Sequence, residues 1–266
     1  MPSDELIIVK LGGAVITKKD EKIPQANIPV IKRLLMEIKD AKERKNFKII
    51  IVHGAGSFGH MLAKKYSLVS GFKDENQIPG FVEVHLSVEK LNKILIQIFK
   101  EEKLPAFPFH SSSLFLLDDA RISHCNLEAI KEAIDLGLVP VLYGDVALDK
   151  KRGFSIISGD DISCYLALKL KAKKLIMVSD VPGVFSSDPK RNENAKLLKE
   201  LSYEEFERIS FESKPLDVTG AMKNKVLKLF EVAKSGVECR IISGLEKNTL
   251  KETLLGYEHG TLIKVL

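Results

Sequence analysis

The sequence predicts an α/β protein, a three-layer αβα sandwich in which a mainly parallel sheet carries helices on both faces. Short apolar runs of strand length alternate with segments of helical period almost throughout. Two of the runs end in glycine clusters, Ile7-Ile8-Val9-Lys10-Leu11-Gly12-Gly13 and Ile49-Ile50-Ile51-Val52-His53-Gly54-Ala55-Gly56-Ser57-Phe58-Gly59-His60. No long Gly/Ser/Pro linker, repeat or low-complexity stretch divides the 266 residues, so a single domain over 1–266 is expected.

The elements follow in order from the alternation. A strand at 5–10 leads to a helix at about 28–45, a strand at 47–52 and a short helix at about 57–65. A long helix at about 80–102 sets Phe81, Val84, Val88, Leu91, Leu95 and Ile98 on one stripe. Next come a strand near 105–109, a helix at about 126–136 and the strand Leu138–Leu142. The charged turn Asp149-Lys150-Lys151-Arg152-Gly153 joins Val146–Leu148 to Phe154–Ile157 as a hairpin. Beyond it lie a helix at about 160–171, the strand Lys174–Val178, and helices at about 203–210 and 221–235. A strand at 238–242, a helix at 247–254 and a strand at 261–265 complete the chain. The stretches Ser67–Gly80 and Ser186–Ala195 read as surface loops able to close over ligands.

Charge and composition narrow the function. The 41 Lys and Arg exceed the 36 Asp and Glu by five, spread along the chain without a basic tail. That argues against nucleic acid and suits small anionic ligands. Cys125, Cys164 and Cys239 are odd in number and form no C-x-x-C pair, so reduced thiols are expected rather than zinc or disulfides. The acidic start Met1-Pro2-Ser3-Asp4-Glu5 is unlike a signal peptide, and no apolar run approaches the roughly 20 residues of a membrane span. A soluble, cytoplasmic protein is the expectation.

Glycine lets backbone N–H groups approach an anion, and a helix starting there adds its positive dipole end. Each cluster is thus either a phosphate cradle or an ordinary strand-to-helix turn, and two cradles suggest two phosphorylated ligands. Gly54 to Gly59 also fits the G-x-G-x-x-G dinucleotide pattern. The acids at the expected distance, Asp74 and Glu75, however, sit in a polar loop with no strand before them, and the Walker pattern is absent. Lys10 interrupts an apolar strand, where a charge needs a partner, and an anionic ligand would supply it. Lys18 and Lys19 follow closely. Ile157-Ser158-Gly159-Asp160-Asp161 opens a helix with acids that either cap it or serve a site. Val178-Ser179-Asp180-Val181-Pro182-Gly183-Val184-Phe185 ends a strand in Asp and Gly, at the edge where open α/β sheets bind ligands. Asp217-Val218-Thr219-Gly220-Ala221-Met222-Lys223-Asn224-Lys225 opens a helix with small residues and lysines.

In this order the motifs resemble the amino acid kinase superfamily and, within it, the isopentenyl phosphate kinase branch. The likeness runs from Lys10-Leu11-Gly12-Gly13 through His53 to His60, Tyr143-Gly144-Asp145-Val146, Ile157 to Asp161, Ser179 to Pro189, and Asp217 to Lys225. The branch rests on His60, which matches the histidine that binds the substrate phosphate there. Ala14, Ala55, Pro182 and Ala221 depart from the family pattern while keeping small or turn-compatible character.

The resemblance implies ATP-dependent, Mg²⁺-requiring phosphorylation of isopentenyl phosphate by a homodimer. The acceptor would bind on about 1–170 and the nucleotide on about 171–266. Lys10, Lys19, His60 and Asp160 would carry catalysis, and Ala55, Gly59, His60 and Gly159 would bind the acceptor. The nucleotide would meet Lys10, Gly12, Gly13, Gly56, Asp180, Phe185, Ser186, Ser187, Asp188, Pro189, Lys190, Gly220 and Lys225. Mg²⁺ would come with ATP, without a dedicated protein cage.

A phosphate monoester is largely ionised at neutral pH, its second pKa being near ~6, so His60 reads as a phosphate clamp rather than a base. His53, His85, His110, His124 and His259 read as structural, with His85 near a tail pocket that some of Phe81, Val84, His85 and Val88, which share one face of the long helix, would close; ordinary core packing is the alternative for each. Rival readings are a kinase of the same superfamily acting on a phosphonate, an amino acid or a nucleoside monophosphate, and a nucleotide-binding regulatory module without catalysis. The lysines disfavour the module.

Overall fold

The computed structural model describes residues 5–18, 21, 23–187, 192–209 and 219–265. Its elements run β1 (Leu6–Leu11), α1 (Gly13–Ile16), α2 (Ile28–Arg44), β2 (Lys48–His53), α3 (Gly56–Lys65), α4 (Ile78–Glu101), β3 (Ala106–Pro108), α5 (Ser111–Leu114), β4 (Phe115–Asp118) and β5 (Arg121–Cys125). They continue with α6 (Leu127–Asp135), β6 (Val139–Tyr143), β7 (Asp145–Asp149), β8 (Gly153–Ile157), α7 (Gly159–Lys169), β9 (Lys174–Ser179), β10 (Glu200–Ser202), α8 (Tyr203–Arg208), α9 (Thr219–Ala233), β11 (Glu238–Ser243), α10 (Thr249–Leu255) and β12 (Thr261–Lys264).

Eight strands form the main sheet in the order β10-β12-β11-β9-β1-β2-β6-β3, and its neighbours pair in parallel except β11 with β12. Strand parity assigns the two helical layers. Ile7, Val9, Ile49, Ile51, Ile176 and Val178 pack with Leu34, Leu35 and Ile38 of α2, Leu91 and Leu95 of α4, and Leu250 and Leu254 of α10. Ile8, Ile50, Val52, Leu175 and Met177 face the opposite layer, Ile130 of α6, Ile162 and Leu166 of α7, and Val226 and Phe230 of α9. The expected three layers and mainly parallel sheet are therefore present.

A second sheet, β5-β4-β7-β8, holds the expected hairpin across Gly153. It also holds a hairpin the sequence does not announce, β4 with β5. Its turn residues Asp119 and Ala120 sit at φ 52° and 62°, a conformation normally supplied by glycine or asparagine. Asp149 holds them there, accepting from their backbone N–H groups at 3.0 and 2.7 Å. The missing signal is thus a distant carboxylate in place of a local turn residue. Strand β10 is equally silent in the sequence, being only three residues long.

Between 67 and 80 the expected loop contains two short 3₁₀ turns and packs against the β7–β8 hairpin. Phe72 N–H donates to Arg152 O at 2.8 Å. The Gln77 amide donates to the carbonyls of Tyr66, Ser67 and Gly71 and accepts from Lys73 N–H. In this structure the loop braces the second sheet, and none of its residues lines the cleft described below.

Candidate active site

Parallel pairing aligns the carboxyl ends of β6, β2, β1 and β9, and the glycines after them extend the ladder by one rung. Gly144 N–H donates to His53 O at 2.9 Å, Gly54 N–H to Leu11 O at 2.9 Å, and Gly12 N–H to Val178 O at 2.8 Å. The two glycine clusters consequently touch. A Cβ on Gly13 would lie 2.5 Å from Gly56 N, and Gly56 itself has φ +53°. Only glycine allows this approach. The two expected cradles thus form one continuous floor on which α3 starts; Ala55 offers no cap, and of the first-turn N–H groups that of Ser57 donates to Thr17 Oγ1 at 3.1 Å. First-turn N–H groups of such a helix favour an anion.

Above the floor is a cleft of about 410 Å³. The parity that sends Ile8 to the α7 layer sends Lys10 there too, and its ammonium meets Asp160 of α7 at 2.7 Å. Lys225 of α9 reaches the other oxygen of Asp160 at 3.8 Å, and Lys228 pairs with Asp161. Burial works to raise the Asp160 pKa, but Lys10 and Lys225 together hold the carboxyl well below the usual range. Burial and the nearby Lys10 charge push Lys225 downward, against the pull of Asp160 and Asp180. Two ammonium groups share one carboxylate, so an entering phosphate would complete their pairing.

Lys10, Gly12, Gly13, Ala55, Gly56, Gly59, His60, Gly159, Asp160, Asp180 and Lys225 all line this cleft. Phe185, Ser186 and Ser187 do not. Phe185 bridges to Leu197, Ser186 N–H donates to Lys196 O at 2.9 Å, and Ser187 accepts from Asn192 at 3.0 Å, so this segment closes on itself. Gly220 lies in the first turn of α9. Lys19, Asp188, Pro189 and Lys190 fall outside the described residues.

His53 is fully buried, stacked on Tyr143 at 5.3 Å and bonded to Asn92 at 3.2 Å. Burial lowers its pKa to about 4, so its ring is neutral and structural at neutral pH. Val84, Val88, Ala63 and Ile156 form an apolar wall beside His60, whereas Phe81 lies behind it against Phe154 at 4.9 Å.

The cleft also gains Gly144, Asp145, Ser158, Asn224 and Lys228, which were not assigned to the site from sequence. Lys228 stands three residues after Lys225, a spacing that puts both on one helix face, and this was the available signal. Ser158 caps α7 by accepting from Asp161 N–H at 3.1 Å.

Glycine turns and buried lysines at the carboxyl ends of parallel strands define a phosphate-handling α/β enzyme. Residues 5–243 match the amino acid kinase family. The chain is 36% identical to the isopentenyl phosphate kinase of Methanothermobacter thermautotrophicus, covering 97% of this chain and 98% of the relative. It is 35% identical to that of Methanocaldococcus jannaschii, at the same coverages of 97% and 98%. A solved isopentenyl phosphate kinase superposes with a TM-score of 0.85 at 33% identity, over 97% of this chain and 100% of that one. The chain belongs to the amino acid kinase family, on the branch formed by the isopentenyl phosphate kinases.

Proposed function

We infer that the protein transfers the γ-phosphoryl group of ATP to isopentenyl phosphate, yielding isopentenyl diphosphate and ADP. The observation that carries this reading is the two-sided cleft. Its glycine floor, Lys10 and His60 suit a phosphate, and the wall of Ala63, Val84, Val88 and Ile156 suits a short hydrocarbon tail on that phosphate.

The demand of the reaction is to bring two polyanions into line. An oxygen of the acceptor phosphate attacks the γ-phosphorus while the bond to the β–γ bridging oxygen breaks and leaves with ADP. With the acceptor already ionised, no proton has to be removed. His60 and the N–H groups of Ala55 and Gly159 hold the acceptor. Lys10, Lys19 and Lys225 neutralise charge developing on the transferred group, and Asp160 keeps Lys10 and Lys225 aimed.

Nucleotide phosphates would lie along Gly12, Gly13 and Gly56, with Asp180 and Lys225 beside them. On this reading the acceptor would bind on about 1–170, and the nucleotide mainly on about 171–266 with its phosphates reaching the glycines of the first part. Mg²⁺ bound to ATP supplies further neutralisation of the phosphates. Such an ion takes phosphate oxygens, water and one or two carboxylates, and Asp180 in the cleft is a carboxylate of that kind.

A homodimer is part of this reading, supported by Ile78, Val82 and Leu86, which are 49%, 48% and 56% exposed along one stripe of α4. Among the described residues no helix is long and apolar enough to cross a membrane. The buried free thiols Cys125, Cys164 and Cys239 suit a reducing cytoplasm.

An ADP-release panel of isopentenyl phosphate, dimethylallyl phosphate, fosfomycin, glutamate, N-acetylglutamate and UMP tests the assignment. Isopentenyl phosphate should be turned over far better than the carboxylates. A preference for glutamate or UMP would sink the acceptor and leave the fold standing.

A further inference from the structure

We propose that His85 is a positioning residue for the acceptor subsite, acting through Asp145 to hold the apolar wall of α4 at a fixed distance from the phosphate floor. The proposal rests on the acceptor reading above. His85 lies on α4 next to Val84 and three residues before Val88, the two valines that line the cleft. Its Nδ1–H donates to Asp145 Oδ2 at 2.8 Å, across from α4 to the first residue of β7.

Asp145 has a fully buried side chain, and its other oxygen accepts from Val146 N–H at 2.8 Å. A buried carboxylate requires such partners. The hydrogen bond and charge of Asp145, with Glu89 adding to them, raise the His85 pKa against partial burial. Ser112 Oγ lies 3.4 Å from the same ring nitrogen, and the neighbouring His110 is held by Tyr143 at 2.9 Å.

The position of Asp145 in the chain gives this bond its consequence. It follows Gly144, where a Cβ would come within 2.8 Å of Gly159 N, so the β6–β7 corner sits tightly on the start of α7. Asp160, which pairs with Lys10, is the next residue of that helix. Elsewhere α4 meets this corner through Val84, Val88, Tyr143, Val146 and Phe154, contacts that are mainly apolar and weakly directional. The His85–Asp145 bond adds direction. Ser87 Oγ ties α4 to Phe58 O at 2.8 Å and Asn92 ties it to His53, but neither reaches this corner; without the His85 bond the turn of α4 that carries Val84 and Val88 loses its directional tie there, and the buried Asp145 carboxylate loses a donor beside a site that must accept a phosphate dianion.

Three variants test the idea. In His85→Asn the amide nitrogen can stand where Nδ1 stood, in His85→Gln it stands nearer Nε2, and His85→Leu offers no donor. His85→Leu and His85→Gln should raise KM for the acceptor by about tenfold or more while KM for ATP stays within about twofold. His85→Asn should recover most of the loss. An unchanged acceptor KM, both KM values rising together, or Asn behaving as badly as Gln would overturn the role. If His85→Leu does not fold, the Asn and Gln pair decides. The acceptor used is whichever one the ADP-release panel selects, so a wrong acceptor appears in the wild-type protein and a wrong role for His85 only in the variants.

Discussion

Lys10 is a folding liability that the proposed reaction would put to use. An ammonium in the middle of a parallel sheet is tolerated because Asp160 lies 2.7 Å away, and that carboxylate is shared with Lys225. The arrangement leaves cationic capacity to be completed by a phosphate. Replacing Lys10 by Ala should lower kcat about 10²- to 10³-fold, as loss of a donor to developing charge typically does, with steady-state rates as the check. His60 is a different case, since it lines the cleft with Val84 and Val88, where the proposed acceptor would sit. His60→Ala should impair use of isopentenyl phosphate, and His60→Gln should retain part of the activity by keeping a donor. If Gln were as poor as Ala with ATP binding intact, a simple hydrogen-bond clamp would be the wrong account and a cationic or proton-transferring role would replace it.

At the scale of elements, the second sheet depends on Asp149. Its carboxylate accepts from the N–H groups of Asp119, Ala120, Lys151 and Arg152 and from Ser155 Oγ, so one residue fastens two hairpins. Burial opposes its ionisation, but these donors hold its pKa far below the usual range. Asp149→Ala leaves several donors without an acceptor and should cost roughly 3 kcal/mol, measured by urea unfolding.

Helix α4 carries Val84 and Val88 of the apolar wall, where the proposed acceptor's tail would lie. Val84→Ala and Val88→Ala should shift kcat/KM toward geranyl and farnesyl phosphates, because both side chains face the cleft. Phe81→Ala should act less directly, since Phe81 packs behind that wall on Phe154. If both valine variants fold and neither changes the ratio of long to short substrates, this face of α4 does not set tail length.

For the whole molecule, His53 ties stability to pH. It is neutral in the fold, with its pKa lowered from 6.5 to about 4, chiefly by burial. As pH falls below 6.5 the unfolded chain takes up a proton that the folded chain refuses, so stability drops until the folded pKa is reached. The full loss is roughly 3 kcal/mol. Asp149 and Asp160, whose folded pKa values are depressed below 3.8, lose their contribution only at still lower pH. His85 has the opposite sign. Its raised pKa gives stability that is complete below 6.5 and lost as pH rises through the folded value. Urea midpoints between pH 6.5 and 4.5 should fall steadily in the wild-type protein, and His53→Asn should flatten that slope. A wild-type midpoint that does not move over this range would contradict a buried neutral His53.

The sequence by itself determined what depends on near neighbours in the chain. Apolar period set the strands of the main sheet apart from β10 and the longer helices on its faces, glycine clusters marked the turns after β1 and β2, and Lys10 stood out because a charge interrupts an apolar strand. Tertiary structure decided everything that depends on which strand ends lie side by side. The order β9-β1-β2-β6 brings residues from 10, 53, 144 and 178 to one edge and merges two apparent cradles into one floor. It also brings Lys225, Lys228 and Asn224 over that floor, from a helix more than 150 residues beyond β2. The β4–β5 turn was unreadable for the same reason, because the group that stabilises its positive φ is Asp149, some 30 residues away. Local propensity is written into adjacent residues, whereas a buried carboxylate and its partners meet only after the sheet has closed.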